Sequence, residues 1–185
     1  MRDRIVAAAI RVLAEDGALG FTTTAIADEA RISVGSLYQY FPNKHALALV
    51  VHEQAVLAGW DHVQQILGNV ESSPRAKVVE ITQWFFATES DEARQLGGVF
   101  DAAEVFLRST PEQPGFEALA LDQFTSLLRT GSSSRRPRDD ARFLMATLES
   151  IGKAAATQPI SDAERRRWAT ATANMLCDHL GVRDV

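Results

Sequence analysis

Residues 22–44 read TTTAIADEARISVGSLYQYFPNK, and they hold the densest set of side chains whose types and spacing suit chemistry. A short apolar-periodic segment opens behind Thr22, Thr23 and Thr24. Arg31-Ile32-Ser33 breaks it, and Ser33 is a residue that favours the N-cap of a second short helix. Short helix, three-residue turn, short helix is the spacing of a helix-turn-helix. Ile26, Ala27, Ala30, Ile32 and Leu37 are the apolar positions that would lock the pair, and the small alanines allow a close crossing. Val34, Gly35, Ser36, Gln39 and Tyr40 are then left facing outward, without a single acid among them. A helix in the major groove of double-stranded DNA runs between two rows of phosphates, which would repel carboxylates. Tyr38, Tyr40 and Lys44 are placed to hold phosphates, and Lys44 also opens the next helix at its positive end. Gly35 costs a helix about 0.5–1 kcal/mol relative to alanine, which makes sense where a backbone must come close to a base or phosphate.

No other set of residues points to a reaction. The four histidines are His45, His52, His62 and His179, without a His-Glu-x-x-His pair or an evident third ligand. Ser109, Ser126 and Ser150 lack the glycine context of an activated nucleophile, and no acid pair is tied to a phosphate-binding loop. The chain is therefore expected to be no enzyme and to need no cofactor or metal. Cys177 stands alone and is expected to act as a small buried apolar group.

The elements that must position this segment are all helical, because apolar residues recur at helical spacing throughout and nothing reads as a strand. A first helix is expected over Arg2–Asp16, stopped by Gly17, then Ala25–Ala30 and Val34–Tyr40. A long helix from Lys44 to Leu67 is apolar on several sides and must pack on more than one face. Ser73-Pro74 opens a helix to about Thr88, and another is expected over Asp91–Arg108. Thr110–Gly115 reads as a turn, Phe116–Arg129 as a helix and Thr130–Asp140 as a polar loop. Asp139–Thr157 is helical, and Ser161 with Glu164 has the spacing of a capping box opening the last helix, which ends at Gly181. The sum is about nine helices.

With 185 residues the chain is long enough to bury a core without staples. Hydrophobic residues at 46% and charged ones at 23% exclude a disordered chain. A net charge of −5 excludes a basic nucleic-acid coat but not a local DNA-reading face, since charge acts over roughly 8 Å at cellular salt. Residues 1–45 are neutral: Arg2, Arg4, Arg11, Arg31 and Lys44 balance Asp3, Glu15, Asp16, Asp28 and Glu29. No apolar run suits a membrane span, Arg2, Asp3, Arg4 and Arg11 interrupt any signal-like segment, and a reducing cytoplasm is the expected location.

The segment resembles the DNA-binding domain of the TetR family of bacterial transcriptional regulators. The resemblance covers about residues 4–50 and is strongest over Val34-Gly35-Ser36-Leu37-Tyr38-Gln39-Tyr40-Phe41-Pro42-Asn43-Lys44. It implies an all-α fold: an N-terminal three-helix DNA-binding domain, residues 1–46, and a C-terminal helical domain for effector binding and dimerisation, residues 47–185. It also implies a homodimer on a palindromic DNA operator, released by a small-molecule effector. By position, Thr23 and Thr24 would open the second helix near the DNA backbone. Ser33, Val34, Gly35, Ser36, Gln39 and Tyr40 would lie on the reading helix, with Tyr38 and Lys44 on phosphate. The family usually has Ala-Gly-Val-Ser in the turn, where this chain has Ala30-Arg31-Ile32-Ser33, so Arg31 is expected at positive φ and pointing to phosphate. Many relatives begin with a basic arm, for which only Arg2 and Arg4 are available.

Aromatic residues of the middle helices, Phe143 among them, are expected mostly in the core. Some would line an effector site, for which Trp60, Trp84, Phe100, Asp101, Glu104, Phe124 and Met145 are the candidates. Leu148, Ile151, Ala155, Trp168, Thr172 and Met175 on the last two helices are the candidates for a two-fold interface. The expected function is a DNA-binding regulator, a ligand-released repressor. The alternatives are an activator, or a small-molecule-binding protein of the same fold without operator-specific DNA binding.

Overall fold

The structure is a computed structural model and describes residues 1–96 and 115–184. Among them it has eight helices: α1 (Arg2–Gly20), α2 (Thr23–Glu29), α3 (Val34–Tyr40), α4 (Lys44–Gly68), α5 (Pro74–Leu96), α6 (Gly115–Gly131), α7 (Pro137–Thr157) and α8 (Asp162–Leu180). The fold is all-α, as the periodicity predicts; the one β-type contact among the described residues is an isolated bridge between Ser132 and Val182. No helix there is long and apolar enough to cross a membrane. The described residues cluster as two compact units, Met1–Trp60 forming the bulk of one and Asp61–Ala93 with 115–184 the other.

The first unit is built on α1. Ile5, Val6, Ala8, Ala9, Val12 and Leu13 share its buried face and meet Phe21, Ile26, Ala27, Ala30, Leu37, Phe41, Leu47, Ala48 and Val51 in one core. Gly17 at φ 62°, ψ −163° interrupts the helical dihedrals where the sequence places a helix stop, although hydrogen bonding resumes as far as Gly20. Caps then fix each element: Thr22 Oγ1 accepts from the Ala25 N–H at 3.2 Å, and Asn43 Oδ1 accepts from the Ala46 N–H at 2.8 Å.

In the second unit Ser73 Oγ caps α5 through the Ala76 N–H at 3.2 Å. The expected helix break after Thr88 is absent. Helix α5 continues to Leu96 with Ser90 buried in it, because Glu89-Ser90-Asp91 holds no proline or glycine to stop a helix whose inner face is packed. The remainder of the expected Asp91–Arg108 helix and the Thr110–Gly115 turn lie almost entirely outside the described residues. Phe86, Ala155 and Ala169 form a small core with Phe85, Ile151 and Ile160 against it. An added methyl at Gly152 would meet the Phe85 ring at 2.7 Å, so glycine there lets α5 and α7 approach closely. The chain end is tied down: Arg75 donates to Asp178 at 3.1 Å and to Asn174 at 3.2 Å, and the Ser133 N–H donates to the Gly181 carbonyl at 3.1 Å. Cys177 is fully buried, and burial pushes its thiol pKa up, away from the reactive thiolate.

Helix α8 opens with the capping box read from Ser161 and Glu164 and closes on Gly181 in the left-handed conformation. The hydrogen bond from Ser161 holds the Glu164 carboxyl below the usual carboxylate range. A group with a lowered folded-state pKa stabilises above its ordinary pKa, and that contribution is lost as pH falls through the lowered value. Ser161→Ala should therefore lower the thermal midpoint by about 2–4 °C at neutral pH, with a smaller deficit at pH 3. Calorimetry at the two pH values checks both statements; an equal deficit at both would place the effect outside the carboxylate.

Candidate nucleic-acid interface

The α2–turn–α3 segment is held from inside by the residues singled out for that task. Ile26, Ala27, Ala30 and Leu37 are buried, Leu37 completely, and half-buried Ile32 packs on the same core. Helix α3 starts on Ser33, whose Oγ accepts from the Ser36 N–H at 3.0 Å. The two hydroxyls also lie 2.9 Å apart in a hydrogen bond, so Ser36 is partly engaged within the chain. Val34 is half-buried against the core rather than fully outward. Gly35, Tyr38, Gln39 and Tyr40 are exposed, and no acidic residue stands on α3.

The turn has the left-handed geometry that glycine ordinarily supplies. The Ile32 N–H donates to the Ala27 carbonyl and the Arg31 N–H to the Asp28 carbonyl, each at 2.9 Å. This reciprocal pair is a Schellman motif, which needs a left-handed residue just after the helix. Arg31 supplies it at φ 53°, the one non-glycine residue with positive φ among those described. The expected backbone conformation is thus observed, and the side chain is exposed without an ion-pair partner among the described residues.

Other cations differ in their freedom. Lys44 is exposed at the start of α4 and has no partner among the described residues. Arg11 is taken up by Glu29 at 2.6 Å, a link between α1 and α2 that composition alone does not reveal. It removes the acid nearest the turn from the local charge balance. Arg2 was a candidate for a trailing arm; instead it lies in the first turn of α1, with its guanidinium 5.3 Å from the centre of the Phe41 ring at the end of α3. The aromatic face holds a cation there, which explains its position. Thr23 is half-buried and Thr24 exposed in the first turn of α2, behind the capping Thr22.

The remaining candidates are dispersed. Trp60 is buried on α4, Trp84 half-buried on α5, Phe124 buried on α6 and Met145 half-buried on α7. The Trp84 ring lies 5.1 Å from that of His62. Phe100, Asp101 and Glu104 lie outside the described residues. On the last two helices, Leu148, Ala155 and Thr172 are already buried within one chain, and Ile151 is half-buried. Trp168 at 39% and Met175 at 46% are the exposed members of that set. Phe143, expected in the core, is 45% exposed and lies 5.1 Å, ring to ring, from His179. Its position on α7 is opposite to the buried Ala141, Leu144 and Leu148, so the inward face was already filled.

Residues 5–51 match the family model described as bacterial regulatory proteins, tetR family. A TetR transcriptional regulator from Streptomyces coelicolor is 25% identical, with 98% of this chain and 99% of that chain covered and a TM-score of 0.60. A TetR-family transcriptional regulator from Pectobacterium atrosepticum is 17% identical, covering 98% and 94%, with a TM-score of 0.75. SmeT, the repressor of the Stenotrophomonas maltophilia multidrug efflux pump SmeDEF, is 23% identical, covering 100% and 91%, with a TM-score of 0.65. No curated protein sequence matches the chain. Residues 5–51 thus carry the N-terminal sequence of the TetR family, and the described helices have the fold of these similar structures.

The strained turn gives a direct test of the local geometry. Arg31→Gly removes a left-handed side-chain penalty and should raise stability by about 1 kcal/mol in denaturant unfolding. A destabilised variant would show that the Arg31 side chain contributes more to the fold than its backbone costs.

Proposed function

We propose that the chain is a TetR-family transcriptional regulator that binds a palindromic operator as a homodimer, acts as a repressor, and is released by a small-molecule effector. The observation that carries the reading is the outer surface of α3 and its flanks. It combines an acid-free helix, exposed Tyr38, Gln39 and Tyr40, and two cations, Arg31 and Lys44, without ion-pair partners among the described residues, on the turn and on α4. Phosphate contacts from Thr23, Thr24, Arg31, Tyr38 and Lys44 would set the register. Base edges would be read by the exposed positions of α3, with Ser33, Val34 and Ser36 at its opening.

The exposed apolar side chains of α7 and α8 support the dimer. Trp168 and Met175 stand seven residues apart, two helical turns on one face of α8, with Ala171 between them. Phe143 reaches the same face through His179. Three large apolar groups left in water on a helix pair fit a second copy, which would close a four-helix arrangement by two-fold symmetry. Two reading helices in such a dimer must be spaced about 34–36 Å apart to enter successive major grooves. The effector acts by binding the state in which that spacing is lost, and a near-complete switch needs about 5.5 kcal/mol of differential affinity. Within the second unit, Trp84, Phe124 and Met145 are the residues proposed for its site.

Tyr38→Ala and Lys44→Ala should each weaken operator binding about tenfold, read by fluorescence anisotropy, with the association state unchanged. Unchanged affinity in both would sink the proposed interface. Trp168→Glu should convert the dimer to folded monomers in analytical ultracentrifugation. A variant that stays dimeric would move the interface away from this face of α8.

A further inference from the structure

Leu37 fixes the orientation of α3, because it is completely buried and the helix has only seven residues. At about 100° per residue, Gly35 and Gln39 each lie about 160° from Leu37, so they form the outermost stripe. Tyr38, Ser36, Val34 and Tyr40 fall to the sides. Of the stripe's two members only Gln39 has a side chain. It is exposed, and its amide has no hydrogen-bond partner among the described residues. Ser36, the nearest competing polar group, is bonded back to Ser33.

Gly35 is not demanded by the chain itself. Its backbone is helical with φ outside the left-handed range, and an added methyl would meet only Ser33 Oγ, at 3.8 Å, an ordinary contact. Alanine would fit there and would favour the helix. A glycine that neither the backbone nor the packing requires, one turn from an unengaged amide, marks a surface that something outside the chain must approach closely.

We propose that Gln39 is the residue that determines base specificity, that it reads an adenine, and that Gly35 leaves the space that brings its amide within reach. This rests on the operator-binding reading above and goes beyond it by naming the base. The amide can accept from adenine N6 and donate to N7 at once, a pairing no other base offers in the major groove. Guanine is read by arginine or lysine, and α3 contains neither; Arg31 lies before the helix, at the turn. Each half-site therefore carries an A·T pair opposite Gln39, and its recognition is lost when that pair becomes G·C.

The test uses the full-length protein. Wild type, Gln39→Ala and Gly35→Ala are each used to select from randomised duplexes, and the recovered sites are titrated with every base pair replaced in turn. Wild type should recover half-sites with one A·T pair whose replacement by G·C weakens binding about tenfold or more. Gln39→Ala should bind both versions equally while keeping the preferences at the other positions. Gly35→Ala should melt about 2–4 °C higher yet bind the wild-type site at least tenfold more weakly. A selected palindrome that Gln39→Ala reads as wild type does, or a Gly35→Ala protein with undiminished affinity, would overturn this assignment and leave the operator reading standing. Recovery of no sequence by wild type would overturn both.

Discussion

The proposed reading head depends on the burial of Leu37. A seven-residue helix is too short to persist in water, where fewer than about 12–15 residues are marginal. Helix α3 exists because Leu37 enters the core made by α1 and α2, and because Ser33 satisfies an N–H at its start. The same burial decides which residues face away. Gly35 and Gln39 point outward for no reason of their own but because Leu37 points in. Orientation of the exposed side chains is thus a by-product of packing, and the core of the first unit is as much a part of the proposed interface as any exposed residue.

The compromises in local structure gather at that surface. Arg31 holds a left-handed backbone where glycine would be unstrained, and Gly35 occupies a helix position where alanine would be favoured. Each choice is the reverse of what the fold alone would select. A charged side chain is kept at the turn, and a side chain is removed from the helix. Departures of this kind cluster where a surface has to serve something other than stability. Elsewhere in the first unit the sequence follows the local rules: threonine and asparagine at caps, and small alanines where α1 and α2 cross.

Caps and breakers made much of this legible in the sequence. Ser33, Asn43, Ser73 and Ser161 all cap helices as their residue types suggest, and the turn at Arg31 follows from one departure in a recognised pattern. The continuation of α5 past Thr88 was hidden because a polar run such as Glu89-Ser90-Asp91 is compatible with either a helix or its end, and only burial of Ser90 decides. Arg11–Glu29 and Arg2–Phe41 join residues far apart in sequence, which periodicity does not report. Helices α7 and α8 are apolar on two faces. Spacing alone therefore merged inward Leu148, Ala155 and Thr172 with outward Trp168 and Met175. An effector site draws on the same apolar residue types as a core, so its candidates carry no distinguishing pattern.

On the proposed reading, the α2–α3 unit recognises specific DNA with few phosphate contacts. The most direct measurement is fluorescence anisotropy of the intact protein on DNA from upstream of its own gene and on a scrambled duplex, over a series of salt concentrations. Tight binding to the first alone is expected, with a slope of log affinity against log salt of about −4 if Arg31 and Lys44 of two copies neutralise phosphates. Equal affinity for both duplexes with a much steeper slope would contradict it, because binding would then rest on charge that this surface does not have.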